Sequence, residues 1–143
     1  MEITAQPQLK FLGIDIFNVH FVAQKPSIGV TEQIELTLIP RVVHLNTKPP
    51  QFKIAMNARM FLKEYFELTL DSVGTFELSG DATEEVKKAF VNQNAPAIMF
   101  PYIRSFVTTF SSSLGGVTGP LYIPIQFFTG EVEELVPGKE IEK

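Results

Sequence analysis

A chain of 143 residues is long enough for one domain around one buried core. Its 12 basic and 16 acidic side chains leave a mild negative charge, without the basic excess that neutralises phosphates, so nucleic acid is not an expected ligand. With no cysteine there are no disulfides and no thiolate metal sites, and the two histidines, His20 and His44, stand far apart, so neither a metal nor another cofactor is expected.

The opening Met1-Glu-Ile-Thr-Ala-Gln-Pro lacks the basic stretch, apolar run and cleavage site of a secretory signal, and the longest apolar runs are too short to span a bilayer. A cytoplasmic chain that does not insert into membranes is the expectation. Thirteen Phe and no Trp are more Phe than a small core obviously needs, so some of them are expected to face a partner.

Residues 9–22 read as extended, with Leu9 and Phe11 on one phase and Ile14 and Ile16 on the other, which predicts a bulge near Ile16. After Lys25-Pro-Ser-Ile-Gly, Ile34, Leu36 and Leu38 alternate with Glu35 and Thr37, the pattern of a strand wet on one face. Pro40 should close that strand, because proline cannot donate to a central ladder. Phe52, Ile54, Met56, Ala58 and Met60 predict a third strand. Phe66, Leu68 and Leu70 predict a fourth that ends before Gly74 and continues as a short extension.

Asp81 followed by Glu84 has the spacing of a capping box and predicts a short helix over residues 82–91. Asn92-Gln-Asn-Ala-Pro should interrupt it. Ile103, Phe106, Val107, Phe110 and Leu114 then recur at helical spacing, Pro101 is placed in the first turn, and Gly115-Gly116 supplies the stop. The polar face of this helix, from Arg104 to Ser112, carries mostly small side chains and should let another surface approach closely. Residues 131–143 hold too little apolar surface to fold alone, so flexible tails are expected over residues 1–7 and 131–143 of a single domain. Strands first and helices afterwards predict α+β: a four-stranded antiparallel sheet with helices packed on one face.

Catalytic chemistry finds little support. Gly115-Gly116-Val-Thr-Gly119 has neither the lysine nor the following helix of a phosphate loop. His20 reads as a packed or edge residue of a strand. Asp15, Glu64 and Glu67 read as solvated carboxylates, and Tyr102 and Arg104 as locally bonded side chains. No enzyme is expected. Phe106 and Phe110 are most simply core, whereas Phe11, Phe127 and Phe128 are divided between core and a groove or interface.

Asn94-Ala-Pro-Ala-Ile-Met-Phe-Pro-Tyr-Ile-Arg-Ser-Phe-Val, then Leu121-Tyr-Ile-Pro-Ile-Gln-Phe, resembles the helix and following segment of the SecB chaperone family. Upstream, the block from Tyr65 to Gly80 resembles that family's last strand, with a Gly-x-Phe turn at Gly74 and Phe76. The resemblance implies an ATP-independent chaperone for non-native polypeptides, assembled as a homotetramer, a dimer of dimers with the long helices between sheets. It implies a client groove at Ile34, Leu36 and Leu38, to which Phe11, Phe127 and Phe128 are added as candidates. It implies a subunit interface at Leu68 and Leu70, with Phe106 and Phe110 on the sandwiched helix. The family's docking face for the SecA motor falls on Asn18, Val22, Glu67 and Thr69, where Glu67 is the one acid. The family's further C-terminal helix is expected to be shortened or missing here, where Thr129-Gly130 and a short charged tail with Pro137-Gly138 stand.

Three functions follow as expectations: a holdase serving protein export, with preproteins as clients; a SecB-like chaperone dedicated to one client, such as an antitoxin; and a small-ligand-binding protein on the same scaffold.

Overall fold

The computed structural model describes residues 7–124, 126 and 128–135. Four long strands form most of it: β1 (Gln8–Ala23), β2 (Glu35–Leu45), β3 (Gln51–Leu62) and β4 (Phe66–Ser79), followed by α1 (Glu84–Ala89), α2 (Ala95–Ser112) and a short β5 (Glu133–Glu134). The sheet order is β1-β4-β3-β2-β5. It therefore has five strands, not four. The four long ones pair antiparallel as expected, and β5 pairs parallel with β2 at Arg41 and Val42.

Register explains the two faces. Phe52, Ile54, Met56, Ala58, Met60 and Leu62 alternate along β3 and pair with Phe76, Gly74, Ser72, Leu70, Leu68 and Phe66 of β4. All twelve positions face the same side, where α2 crosses β1, β4 and β3. Met99, Ile103 and Val107 of α2 are buried against them. Among the described residues the other face carries no helix.

Several local expectations give way for identifiable reasons. β1 has two irregularities, at Phe11/Gly13 and Phe17/His20, on either side of the one predicted near Ile16; Gly13 and Asn18 take positive φ there, 141° and 51°. β4 does not end before Gly74: it runs through to Ser79, with Gly74 paired to Ile14 and Ile54, so Gly74 and Phe76 form no turn. β2 runs through Pro40 to Leu45, because β2 is an outer strand at that position. Thr83, not Asp81, caps α1, its hydroxyl accepting from the Val86 amide at 3.2 Å.

The expected interruption at residues 92–96 is a widened π turn, Phe90–Asn94, in which the Ala95 amide bonds the Phe90 carbonyl. Residues 84–112 thus form one irregular helix, and Pro101 stands inside α2 and not in its first turn. Beyond α2, residues 121–124 and 128–132 return along the helix. Thr108 and Ser111 hold Leu121, Arg104 holds Ile123, Phe128 packs on Phe100, and Asn92 accepts from the Val132 amide. Residues 131–135, expected in a tail, instead end this strap and reach β2. Residues 1–6 and 136–143 of the expected tails lie outside the described residues.

Candidate functional site

Ile34, just before β2, and Leu36 and Leu38, at its start on the helix-bearing side of the sheet, are each packed on the core yet only half buried. At the other end of that strand Val42 is wholly buried, in the same core cluster as Val132 of the strap. The contrast is one of cover: the strap and β5 close the far end of β2 and leave the near end partly open.

The other groove candidates divide. Phe128 is half buried, its ring edge-on to Phe100 at 5.9 Å. Phe11 is on β1, at the opposite edge of the sheet, where it contacts Phe76 at 5.3 Å and Tyr102 at 5.2 Å; the structure does not bring it to Leu36 and Leu38. Phe127 lies outside the described residues.

Of the four interface candidates, Leu68 and Leu70 are 1% exposed, in the centre of the sheet beneath α2 and within this chain's own core. Phe106 and Phe110 stack at 5.9 Å and stay half buried, with Phe21 of β1 edge-on to Phe110 at 5.8 Å. They make an apolar margin beside the outer edge of β1.

Asn18, Val22, Glu67 and Thr69 do come together, on the helix-free face: Val22 pairs with Glu67, His20 with Thr69, and Asn18 lies beside them. The register adds three residues to this face that the sequence reading missed. Asp71, 7% exposed, accepts from Asn18 Nδ2 at 3.1 Å and from Asn57 Nδ2 at 2.9 Å. Arg59 forms an ion pair with Glu67 and stacks over the Phe61 ring at 4.3 Å. Asp71 continues the alternation of Glu67 and Thr69 and was within reach of the pattern; Asn57 and Arg59 are on a neighbouring strand and needed the register. The two acids of this region are thus spent internally, one on amides and one on a guanidinium.

The small polar residues of α2 have a role different from the one read from sequence. Arg104 Nε donates to Ile123 O and Thr108 Oγ1 to Leu121 O, both at 2.8 Å, while Ser111 Oγ accepts from Leu121 N at 2.8 Å. The surface they let approach is the chain's own strap. Between α1, the strap end and the β2–β3 connection lies a cleft of about 840 Å³, with Phe52, Leu78 and Val91 among its apolar walls and Lys87, Lys88 and Glu131 among its polar ones. Among the described residues no three His, Cys, Asp or Glu side chains gather as metal ligands, and no helix is long and apolar enough to cross a membrane.

No protein-family model and no curated protein matches this chain. Among solved structures it is similar to the Mycobacterium tuberculosis SecB-like chaperone in complex with a ChAD peptide from the HigA1 antitoxin, with a TM-score of 0.64 and 16% identity over 82% of this chain and 87% of that one. It is also similar to a protein of unknown function from Streptococcus agalactiae, with a TM-score of 0.52 and 9% identity over 84% of this chain and 99% of that one. The α+β fold is SecB-like; identities this low speak to the fold and no further.

Proposed function

We propose that this chain is a polypeptide-binding chaperone that works without ATP and serves a single client, such as an antitoxin. The observation that carries the reading is the fold shared with a SecB-like chaperone solved with an antitoxin peptide. The half-buried stripe of Ile34, Leu36 and Leu38 supports it, because aliphatic surface left partly open gains free energy from burial of a client without demanding a fixed sequence. General service to export has less support. Of the four positions matching the docking face, Glu67 is the one acid and it is paired with Arg59, which leaves that patch little net negative charge to steer a motor such as SecA.

Self-association belongs to the same proposal. The outer edge of β1 has no strand beside it among the described residues, and Phe21, Phe106 and Phe110 line it half exposed. That combination suits pairing of two copies, and a dimer of dimers is the expected assembly.

A second reading, small-ligand binding, is favoured by the cleft of about 840 Å³. One experiment separates the two. The purified protein is sized by light scattering alone and with a chemically unfolded protein or an antitoxin C-terminal peptide, and suppression of aggregation is followed without ATP. A tetramer-sized particle that takes up the client and delays its aggregation supports the chaperone. A particle that neither binds nor protects sinks it and leaves the cleft as the site to pursue.

A further inference from the structure

The outer edge of β2 is only half occupied. β5 lies opposite Arg41 and Val42, and the Leu135 amide donates to the Val42 carbonyl at 2.7 Å. Backbone groups of alternate residues in a strand point to the same side, so this bond sets the parity of the whole edge. The carbonyl of Pro40 and both backbone groups of Leu38 and Leu36 face away from β3. Pro40 stands at an outward position, where its missing N–H costs the β3 ladder nothing. Among the described residues, no backbone group bonds to the outward groups of Leu36 and Leu38.

We propose that residues 35–39 are a strand-addition site for an extended segment of a non-native polypeptide. The segment pairs with the backbone of Leu36 and Leu38 and lays alternate apolar side chains over the half-buried Ile34, Leu36 and Leu38. The chain's own residues 133–135 show that this edge accepts an added strand, in line with the vacant stretch. The occupant's chemistry follows from the geometry: apolar residues at every second position, and no proline where Leu36 and Leu38 need a partner. The inference rests on the polypeptide-binding reading above and adds where, and through which atoms, the client is held.

Amide hydrogen exchange resolved by residue tests it on the full chain. The probes are a lysine-flanked peptide of alternating valine and threonine, and a reduced, carboxymethylated protein that stays unfolded. Thr37 and Ile39 amides point to β3 and should be protected throughout, whereas Leu36 and Leu38 should exchange freely alone and slow about tenfold or more with either probe. A second arm compares Leu38→Pro, which removes an outward donor with the side chain, and Leu38→Ala, which removes the side chain alone. The proline variant should bind about fivefold to tenfold more weakly than the alanine variant. Binding that leaves Leu36 and Leu38 exchange unchanged overturns strand addition while polypeptide binding stands. Absence of any binding overturns both, and the exchange arm decides even if Leu38→Pro fails to fold.

Discussion

Gly74 lies directly against Met99 of α2. A Cβ built there would lie 2.8 Å from both Cγ and Sδ of Met99, a side chain that is itself wholly buried. Gly74→Ala should therefore destabilise the protein by about 1–3 kcal/mol, seen as a lower urea midpoint with an unchanged slope. From sequence this glycine looked like a strand terminator, because glycine's commonest message is a turn; its close approach to a helix is a fact of packing that no local pattern carries. On the opposite face, Asn18 holds a left-handed backbone, φ 51°, while donating to Asp71. Asn18→Gly keeps the backbone and loses the bond. Asn18→Val loses both, and a β-branched residue resists that conformation, so it should cost at least about 1 kcal/mol more than the glycine variant in the same urea assay. Beside the change of apolar phase near Ile16, asparagine's tolerance of positive φ was a further sequence hint to this bulge, and it is too common a residue to be read alone.

At the scale of elements, alternation located all four long strands, because each buries one face and wets or half-covers the other. It could not find β5. Two exposed glutamates carry no period, and they are a strand because β2 has an edge to offer. The irregular helix was harder for the opposite reason: Pro96 and Pro101 speak against a helix locally, and burial of Met99, Phe100, Ile103 and Val107 outweighs them. Three polar side chains, Arg104, Thr108 and Ser111, fix the strap to that helix through the backbone of Leu121 and Ile123. Ser111→Ala leaves a buried Leu121 amide without its acceptor and should cost about 1–3 kcal/mol. The combination of Arg104→Met and Thr108→Val should raise amide exchange at residues 121–123 with little change in β3 and β4, measured by residue-resolved exchange. Equal acceleration everywhere would mean that the strap and the sheet open as one unit.

For the whole molecule, strands before helices gave the fold class, and the block around Phe100, Pro101, Tyr102 and Arg104 led to the SecB-like architecture. Leu36 and Leu38 were legible as the apolar phase of an alternating strand, whereas the position of Phe11 at the far edge of the sheet was not, because strand order decides which aromatic residues meet, and strand order is not written in any one strand. The cover of Leu68 and Leu70 was illegible for a related reason: an aliphatic strand residue looks the same whether its cover comes from its own helix, as it does within this chain, or from another subunit.

The order β1-β4-β3-β2 also governs time. β2, β3 and β4 are joined by short connections and can zip together locally, but β1 must wait for β4, and residues 24–34 must carry the chain from one side of the sheet to the other. Closing that long loop is an entropic barrier that local pairing does not face. In stopped-flow refolding, Met60→Ala in β3 should slow folding, whereas Phe21→Leu in β1 should chiefly speed unfolding. On a ribosome the sequence of events is harsher. The first strand to emerge is the last able to pair, so its 16 residues, Phe-rich and extended, stay exposed while more than forty others are made. For that interval the nascent chain is itself a non-native polypeptide of the kind proposed as its client.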